Sequence, residues 1–213
     1  MTRIYIEELL QRMITKEEVK SSDESVSWKA HREAEKLTDV SLYPILKELI
    51  LLNSKPKDKN YRNAAYFVMG KLIKNIPDND GIDFYLKRLE VETDKYILSS
   101  MLDIVSEIKI PTNISIKIIV SLSVSDKWLI RHSAINALGS SATSESKQAL
   151  YYYINQVDEK AYKYEIVYAN ASLGKIGSLE DIPTLEQHIK SKIRDIHDSA
   201  EFAINRIQES KFV

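Results

Sequence analysis

Residues 126–139 read Asp-Lys-Trp-Leu-Ile-Arg-His-Ser-Ala-Ile-Asn-Ala-Leu-Gly, and this stretch decides the fold. Its apolar residues fall at the 3.6-residue spacing of one helix face. Related stretches are Tyr-Arg-Asn-Ala-Ala-Tyr-Phe-Val-Met-Gly at 61–70 and Ala-Asn-Ala-Ser-Leu-Gly at 169–174. A unit that recurs about every 33 residues is typical of stacked helical hairpins, because each hairpin buries its apolar face against the next.

One position of the unit is small in almost every copy. With Ala134 as the reference, the matching residues are Ala34, Ala65, Leu102, Ala169 and Ala200. Two helices approach closely only where side chains are short, so this position predicts helix–helix contacts. Three copies also share a glycine, at Gly70, Gly139 and Gly174. A glycine there predicts a left-handed residue just past the end of the helix.

The spacing predicts an all-α fold, a right-handed α-solenoid of about six helical hairpins. Inner helices, which would line a concave face, are predicted at 25–37, 60–74, 95–107, 127–139, 161–175 and 195–208. Outer helices are predicted at 41–53, 82–91, 113–124, 144–157 and 180–191. The β-branched run 108–124 is ambiguous by propensity, and its place in the repeat favours helix.

No linker divides the chain, so residues 1–213 are predicted to form a single repeat array. Residues 1–22, with a helix at 4–14, would cap its N-terminal side, and the repeats would cover 23–210. The tail Gln208–Val213 is a candidate for the second cap. Caps are expected because the outermost hairpins have no neighbour on one side.

Composition excludes several classes of site. The chain has no cysteine, which rules out disulfides and Cys-ligated zinc or iron–sulfur centres. Thirty basic residues balance 31 acidic ones, giving a net charge of −1, whereas proteins held to nucleic acid by phosphate contacts usually carry a basic excess. The acidic N-terminal segment is not typical of a signal peptide, and a cytoplasmic location without membrane association is the expectation.

The motif resembles the HEAT-repeat family, especially its short-repeat branch found in phycobilin lyases and many small bacterial proteins. That branch shows an Asp, an aliphatic–Arg pair and Ala-x-x-x-Leu-Gly. This sequence carries the pattern as Asp126, Ile130-Arg131, Ala134 and Leu138-Gly139. The resemblance is strong over 126–210 and weaker elsewhere, and it implies a helical-repeat fold without implying an activity.

No pattern of catalytic or metal-binding residues was found. The four histidines do not have the spacing of a metal site, and residues 77–81 do not match a calcium loop because position twelve is Lys87. Gly-rich phosphate loops and nucleophile elbows are absent. We therefore predict no catalytic residues, no metal and no cofactor; an enzyme whose catalytic groups meet only in space stays open.

Aromatic and basic residues recur where the inner helices begin. Tyr and Trp are favoured as interface anchors; any single one is more typical of packing between hairpins, whereas several along one groove predict a protein-binding track. Arg62 and Arg131 could pair with a carboxylate such as Asp58, Asp94 or Asp126, or reach an anionic partner. The candidate binding residues on the concave face are Trp28, Arg32, Tyr61, Arg62, Trp128, Arg131, His132, Tyr164, Tyr168 and His197.

The leading functional prediction is a non-enzymatic scaffold or adaptor that binds a protein partner on its inner-helix face. The alternative is a nucleic-acid-binding protein with the architecture of the alkylpurine DNA glycosylases, which are built from similar repeats; the balanced charge does not favour it. A bilin lyase is implied only by the resemblance. The oligomeric state is not predicted.

Overall fold

The computed structural model describes residues 2–209, which form helices and turns without a strand. The chain forms two compact units, Met1–Arg88 and Leu89–Val213, and each is described by itself. No helix within residues 2–209 is both long and apolar enough to cross a membrane. The all-α prediction is confirmed.

The first unit contains α1 (Arg3–Met13), α2 (Val26–Ala34), α3 (Leu42–Leu52), α4 (Lys59–Asn75) and most of α5 (Asn79–Val91). Three helices begin with a side-chain cap: Thr2 Oγ1 accepts from the Tyr5 amide, Ser25 Oγ from the Trp28 amide and Asp78 Oδ2 from the Gly81 amide. α1 packs against α2 and α4, and α3 packs against α4. The predicted helix at 4–14 is therefore present and covers apolar surface of this unit.

The second unit contains α6 (Lys95–Val105), α7 (Lys117–Ser123), α8 (Trp128–Leu138), α9 (Ser144–Ile154), α10 (Lys163–Ile176), α11 (Ile182–Glu186) and α12 (Arg194–Glu209). Alternate helices lie side by side, α6 against α8, α8 against α10 and α10 against α12. The helices between them, α7, α9 and α11, pack on this row. This arrangement agrees with the predicted division into two kinds of helix.

The small-residue position of the repeat lies in the core in all six copies. Its residues are Ala34, Ala65, Leu102, Ala134, Ala169 and Ala200, and each is 0% exposed. Because a methyl side chain allows two helix axes to come close together, the alanines at this position let neighbouring helices pack tightly.

The repeat glycines differ from the prediction. No glycine within residues 2–209 has a positive φ. Gly70 and Gly174 lie inside α4 and α10, and Gly139 follows α8 with φ −70°. A Cβ at Gly174 would lie 2.8 Å from the Ala203 Cα, and one at Gly139 would lie 3.1 Å from the Ser172 Cα. Gly139 and Gly174 are needed for close approach of helices rather than for a left-handed turn.

Three helix boundaries also differ from the prediction. The polar stretch 77–81, read as a turn, already contains the start of α5 at Asn79. The helix predicted at 113–124 begins only at Lys117. The helix predicted at 180–191 is divided, with 3₁₀ turns Leu179–Asp181 and Gln187–Lys190 on either side of α11. Of the predicted C-terminal cap, residues 210–213 lie outside the described residues.

Candidate functional site

The first turns of α8 and α10 present four rings to one another. Trp128 is the first residue of α8, and His132 lies one turn later on the same helix face. Tyr164 and Tyr168 are related in the same way on α10. The close approach at Gly139 and Ser172 holds α8 and α10 together, and so brings these two pairs of rings within reach.

These rings form a cleft of about 520 Å³. We call it the aromatic cleft; it is lined by Trp128, Arg131, His132, Ala161, Tyr164, Glu165 and Tyr168. The His132 ring lies centrally, 5.7 Å from Trp128, 5.9 Å from Tyr164 and 5.4 Å from Tyr168 between ring centroids. Trp128 is 64% exposed, and both tyrosines are exposed as well. Large rings that are exposed together are a feature of binding surfaces.

A buried carboxylate supports the aromatic cleft from below. Glu165, only 5% exposed, accepts hydrogen bonds at Oε1 from Arg131 Nε at 2.8 Å and His132 Nε2 at 3.1 Å. Arg131 Nη2 lies 2.8 Å from the same oxygen. Burial alone would raise the pKa of Glu165, but hydrogen bonds from its own backbone, Arg131 and His132 outweigh burial and lower that pKa. Glu165 is therefore ionised and fixes both α8 side chains.

Arg131 connects two repeats. Its Nη1 donates to the Ser125 carbonyl at 2.7 Å, in the turn before α8, while Nε and Nη2 face Glu165 on α10. The carboxylate that it binds is thus neither Asp126 nor another of the aspartates proposed from the sequence. Asp126 offers its carbonyl, at 3.5 Å. This pairing leaves all three guanidinium nitrogens occupied by oxygens of the protein itself.

Arg62 does not lie on a binding surface. It is 5% exposed, and its Nη1 donates to the carbonyls of Asn53 and Lys55 at 2.9 Å each. These carbonyls belong to the turn between α3 and α4, which would otherwise leave acceptors unpaired. The sequence-based assignment of Arg62 as a surface contact is corrected, because its guanidinium is used to close its own hairpin.

Of the other candidates of the first unit, Trp28 and Arg32 contact each other, and Tyr61 lies elsewhere. Trp28 is 43% exposed, and the Arg32 guanidinium lies 5.8 Å from its ring centroid while also pairing with Glu35. Tyr61, half-buried, lines a separate groove of about 890 Å³ beside α1 and α3. In the second unit, His197 on α12 bonds to Asp198 Oδ1 at 3.0 Å and does not line the aromatic cleft.

Glu165 is the site residue that sequence reasoning missed. It is not among the binding residues predicted from the sequence. The signal was present, since Glu165 follows Arg131 by 34 residues, which is one repeat length. A ladder of ion pairs between repeats predicts a partner at this distance as well as within a repeat.

Comparison with known proteins supports the fold. No protein-family model matches the sequence, and none of the curated proteins matches it. Among solved structures, an engineered protein matches with a TM-score of 0.51 and 16% identity over 96% of this chain and 97% of that chain. A designed armadillo repeat protein matches with a TM-score of 0.52 and 16% identity over 94% and 98% of the two chains. A second one, solved in complex with the peptide (KR)4, has a TM-score of 0.50 and 15% identity over 94% and 98%. The chain therefore has the helical-repeat fold of an α-solenoid.

Proposed function

We propose that this protein is a non-enzymatic binding module and that an extended segment of a protein partner docks at the aromatic cleft. The observation that carries the proposal is the cluster of exposed rings, Trp128, Tyr164 and Tyr168, around His132. Exposing such rings to water is unfavourable, and burying them on a partner recovers that free energy with little loss of side-chain entropy. Tyr and Trp are accordingly the residues most often found as interface anchors.

The neighbouring repeat extends the surface. Tyr96 stands at the same register in α6 as Trp128 in α8, six residues before the buried reference position, and it is exposed as well. α6 packs directly against α8. A partner segment that crosses successive helices would therefore meet an aromatic residue at each one. The designed armadillo repeat protein solved with a peptide shares this fold, which favours an extended ligand.

We further propose that the repeats belong to the short-repeat HEAT branch and run through residues 1–213 as a single array with α1 as its cap. Support comes from the roles of the motif residues. Arg131 bridges two repeats, Ala134 is fully buried, and Gly139 permits the approach of α10. Each of these motif positions thus has a physical function in stacking, independent of any ligand.

The test is selection of linear 12-residue peptides from a random library on the immobilised protein, followed by affinity measurement with purified peptides. Selected peptides should bind about tenfold or more weakly to Trp128→Ala, as expected for an interface anchor. Tyr152→Ala is the matched control, since Tyr152 is 55% exposed on α9 and does not line the cleft. Circular dichroism checks that both variants stay helical.

Two outcomes would count against the proposal. Peptides that bind Trp128→Ala as tightly as the parent protein would place the binding surface elsewhere. Duplex DNA binding that weakens steeply between 50 and about 200 mM salt, with no peptide selected, would favour the nucleic-acid alternative instead.

A further inference from the structure

We infer that the aromatic cleft recognises a cationic N–H group, the guanidinium of arginine or the ammonium of lysine, in the docked segment. The inference rests on the proposed function and adds the chemistry of the side chain that enters. Three features of the described residues support it. They are the hydrogen bonding of His132, the occupied donors of Arg131, and the contact between Arg32 and Trp28 in α2.

The first feature is an unpaired acceptor. An ionised carboxylate can only accept hydrogen bonds, so the His132 Nε2 that faces Glu165 Oε1 must carry the proton. In the neutral imidazole the other nitrogen, Nδ1, is then an acceptor. Within residues 2–209 the structure gives Nδ1 of His132 no hydrogen-bond partner, whereas Nδ1 of His31 lies 2.8 Å from the Ser27 carbonyl. His132 thus offers a lone pair among three aromatic rings.

The second feature is the absence of a charged donor for an anion. Each guanidinium nitrogen of Arg131 already faces an oxygen of Glu165 or Ser125. The groups that stay available in the cleft are the Trp128 indole, the two phenols and Nδ1 of His132. Aromatic faces carry negative potential, so they attract a cation and do not attract a carboxylate or phosphate. The cleft is complementary to positive charge.

The third feature is found at the same register in α2. Trp28, like Trp128, lies six residues before the reference alanine, and its ring is covered by the guanidinium of Arg32 at 5.8 Å. In α8 the residue equivalent to Arg32 is His132, and no guanidinium of the described chain lies over Trp128. The first unit therefore shows the type of group that packs on this tryptophan, whereas in the second unit the neighbour of Trp128 is the His132 ring at 5.7 Å and the indole stays 64% exposed to a ligand.

The rim of the cleft does not repel a cation strongly. The Lys163 ammonium lies 5.2 Å from the Tyr164 ring centroid, and it pairs with Asp195 Oδ2 at 2.5 Å. Its charge is therefore matched by a carboxylate. Lys163 also shows that one face of Tyr164 already stabilises an ammonium group.

The experiment uses the full chain and an end-labelled octapeptide of alternating Lys and Arg, with binding followed by fluorescence anisotropy at about 150 mM salt to screen non-specific attraction. In one matched peptide citrulline replaces each Arg, and in another norleucine replaces each Lys. Citrulline keeps the shape and most of the N–H groups of arginine but has no charge. The two peptides separate the contribution of guanidinium from that of ammonium.

We expect at least one neutral substitution to weaken binding about tenfold, in line with a desolvated cation–π contact. This difference should persist in Tyr152→Ala and disappear in Trp128→Ala and in Tyr164→Ala. Two cleft variants are used so that a folding defect in one does not decide the result.

The failures are distinguishable. Equal binding of charged and neutral peptides would overturn the cation inference and leave the proposed function standing. The same holds if the alternating peptide does not bind while library peptides without Lys or Arg bind through Trp128. If neither the alternating peptide nor any library peptide depends on Trp128, both proposals are wrong.

Discussion

The helices α2 and α8 share a tryptophan and an alanine six residues apart, and between them they carry His and Arg in opposite order. Residues 28–34 read Trp-Lys-Ala-His-Arg-Glu-Ala, and residues 128–134 read Trp-Leu-Ile-Arg-His-Ser-Ala. In α2 the histidine comes first, and Arg32 turns back over Trp28. In α8 the arginine comes first, and Arg131 reaches Glu165 on the next hairpin. Because neighbouring residues on a helix point about 100° apart, this exchange of His and Arg changes which side chain meets the tryptophan.

The comparison teaches that fold and surface chemistry use different positions of one repeat. Both helices bury their reference alanine completely, so the stacking is the same. The order of the histidine and the arginine, His31-Arg32 in α2 and Arg131-His132 in α8, decides whether a guanidinium of the protein covers the tryptophan. The variants below either remove the difference between α2 and α8 or measure its size, beginning with the largest expected effect.

The largest effect is expected for the carboxylates that hold the two arginines. Glu165→Ala leaves Arg131 and His132 without their buried acceptor and should lower the free energy of unfolding by about 3 kcal/mol, near the lower limit for a broken buried pair because Arg131 keeps some contact with water. Glu35→Ala removes the partly exposed partner of Arg32 and should cost about 0.5 kcal/mol or less. Urea unfolding of both variants provides the measurement. Equal losses would mean that Glu165 has no special structural role.

His132→Arg should make α8 resemble α2. The new guanidinium would occupy the place over Trp128, as Arg32 does over Trp28, and should weaken binding of the Lys-Arg octapeptide about tenfold, or about 1.4 kcal/mol. Arg131 keeps its pairing with Glu165, so the variant should stay folded. Anisotropy titration measures the affinity, and unchanged affinity would show that the face of Trp128 is not the binding place.

Acid should act on α8 through Glu165. Its folded-state pKa lies below the ordinary value of 4.5, so the folded protein binds fewer protons than the unfolded chain when the pH falls past 4.5. The stability that this group contributes is complete above pH 4.5 and is lost as pH falls through the folded pKa. Glu165→Gln cannot titrate and should show a shallower loss of melting temperature between pH 5 and about 3. Parallel curves for the two proteins would contradict this assignment.

The smallest effect concerns the tryptophan of α2. Arg32→Ala uncovers Trp28 and should increase quenching of its fluorescence by acrylamide, measured in a Trp128→Phe background so that Trp28 is the only tryptophan. Stability should change by less than about 1 kcal/mol, since the contact lies at the surface. If quenching does not change, Arg32 does not cover the ring in solution and the contrast with α8 is weaker than described.

Sequence reasoning predicted the helices well because they depend on local patterns. The six reference residues, from Ala34 to Ala200, are all buried, and the predicted inner helices match α2, α4, α6, α8, α10 and α12. The fold class is likewise confirmed by the solved structures. Periodicity is a property of the chain alone, so no knowledge of the neighbouring hairpins was needed.

The site was harder, because it depends on pairs of residues from different repeats. Arg62 and Arg131 have the same place in the motif, but position alone does not tell how deeply each is buried or which groups it pairs with. Both guanidinium groups donate to carbonyls of the turn before their own helix, and the pairing of Arg131 with Glu165 comes from a residue one repeat further on. The role of Gly174 was predicted wrongly for the same reason: Gly174 is required by Ala203, 29 residues away on the next inner helix.

The close approach at the glycines also limits how the array could be rearranged. Gly174 fits because Ala203 stands opposite, and Gly139 fits because Ser172 does, so each hairpin is shaped for the particular hairpin that follows it. Repeats cut from this chain could not be shuffled or duplicated freely, even though their lengths are similar. A hairpin placed after Gly174 would need a residue as small as alanine at its own meeting point, which makes the order of modules part of the information that the sequence encodes.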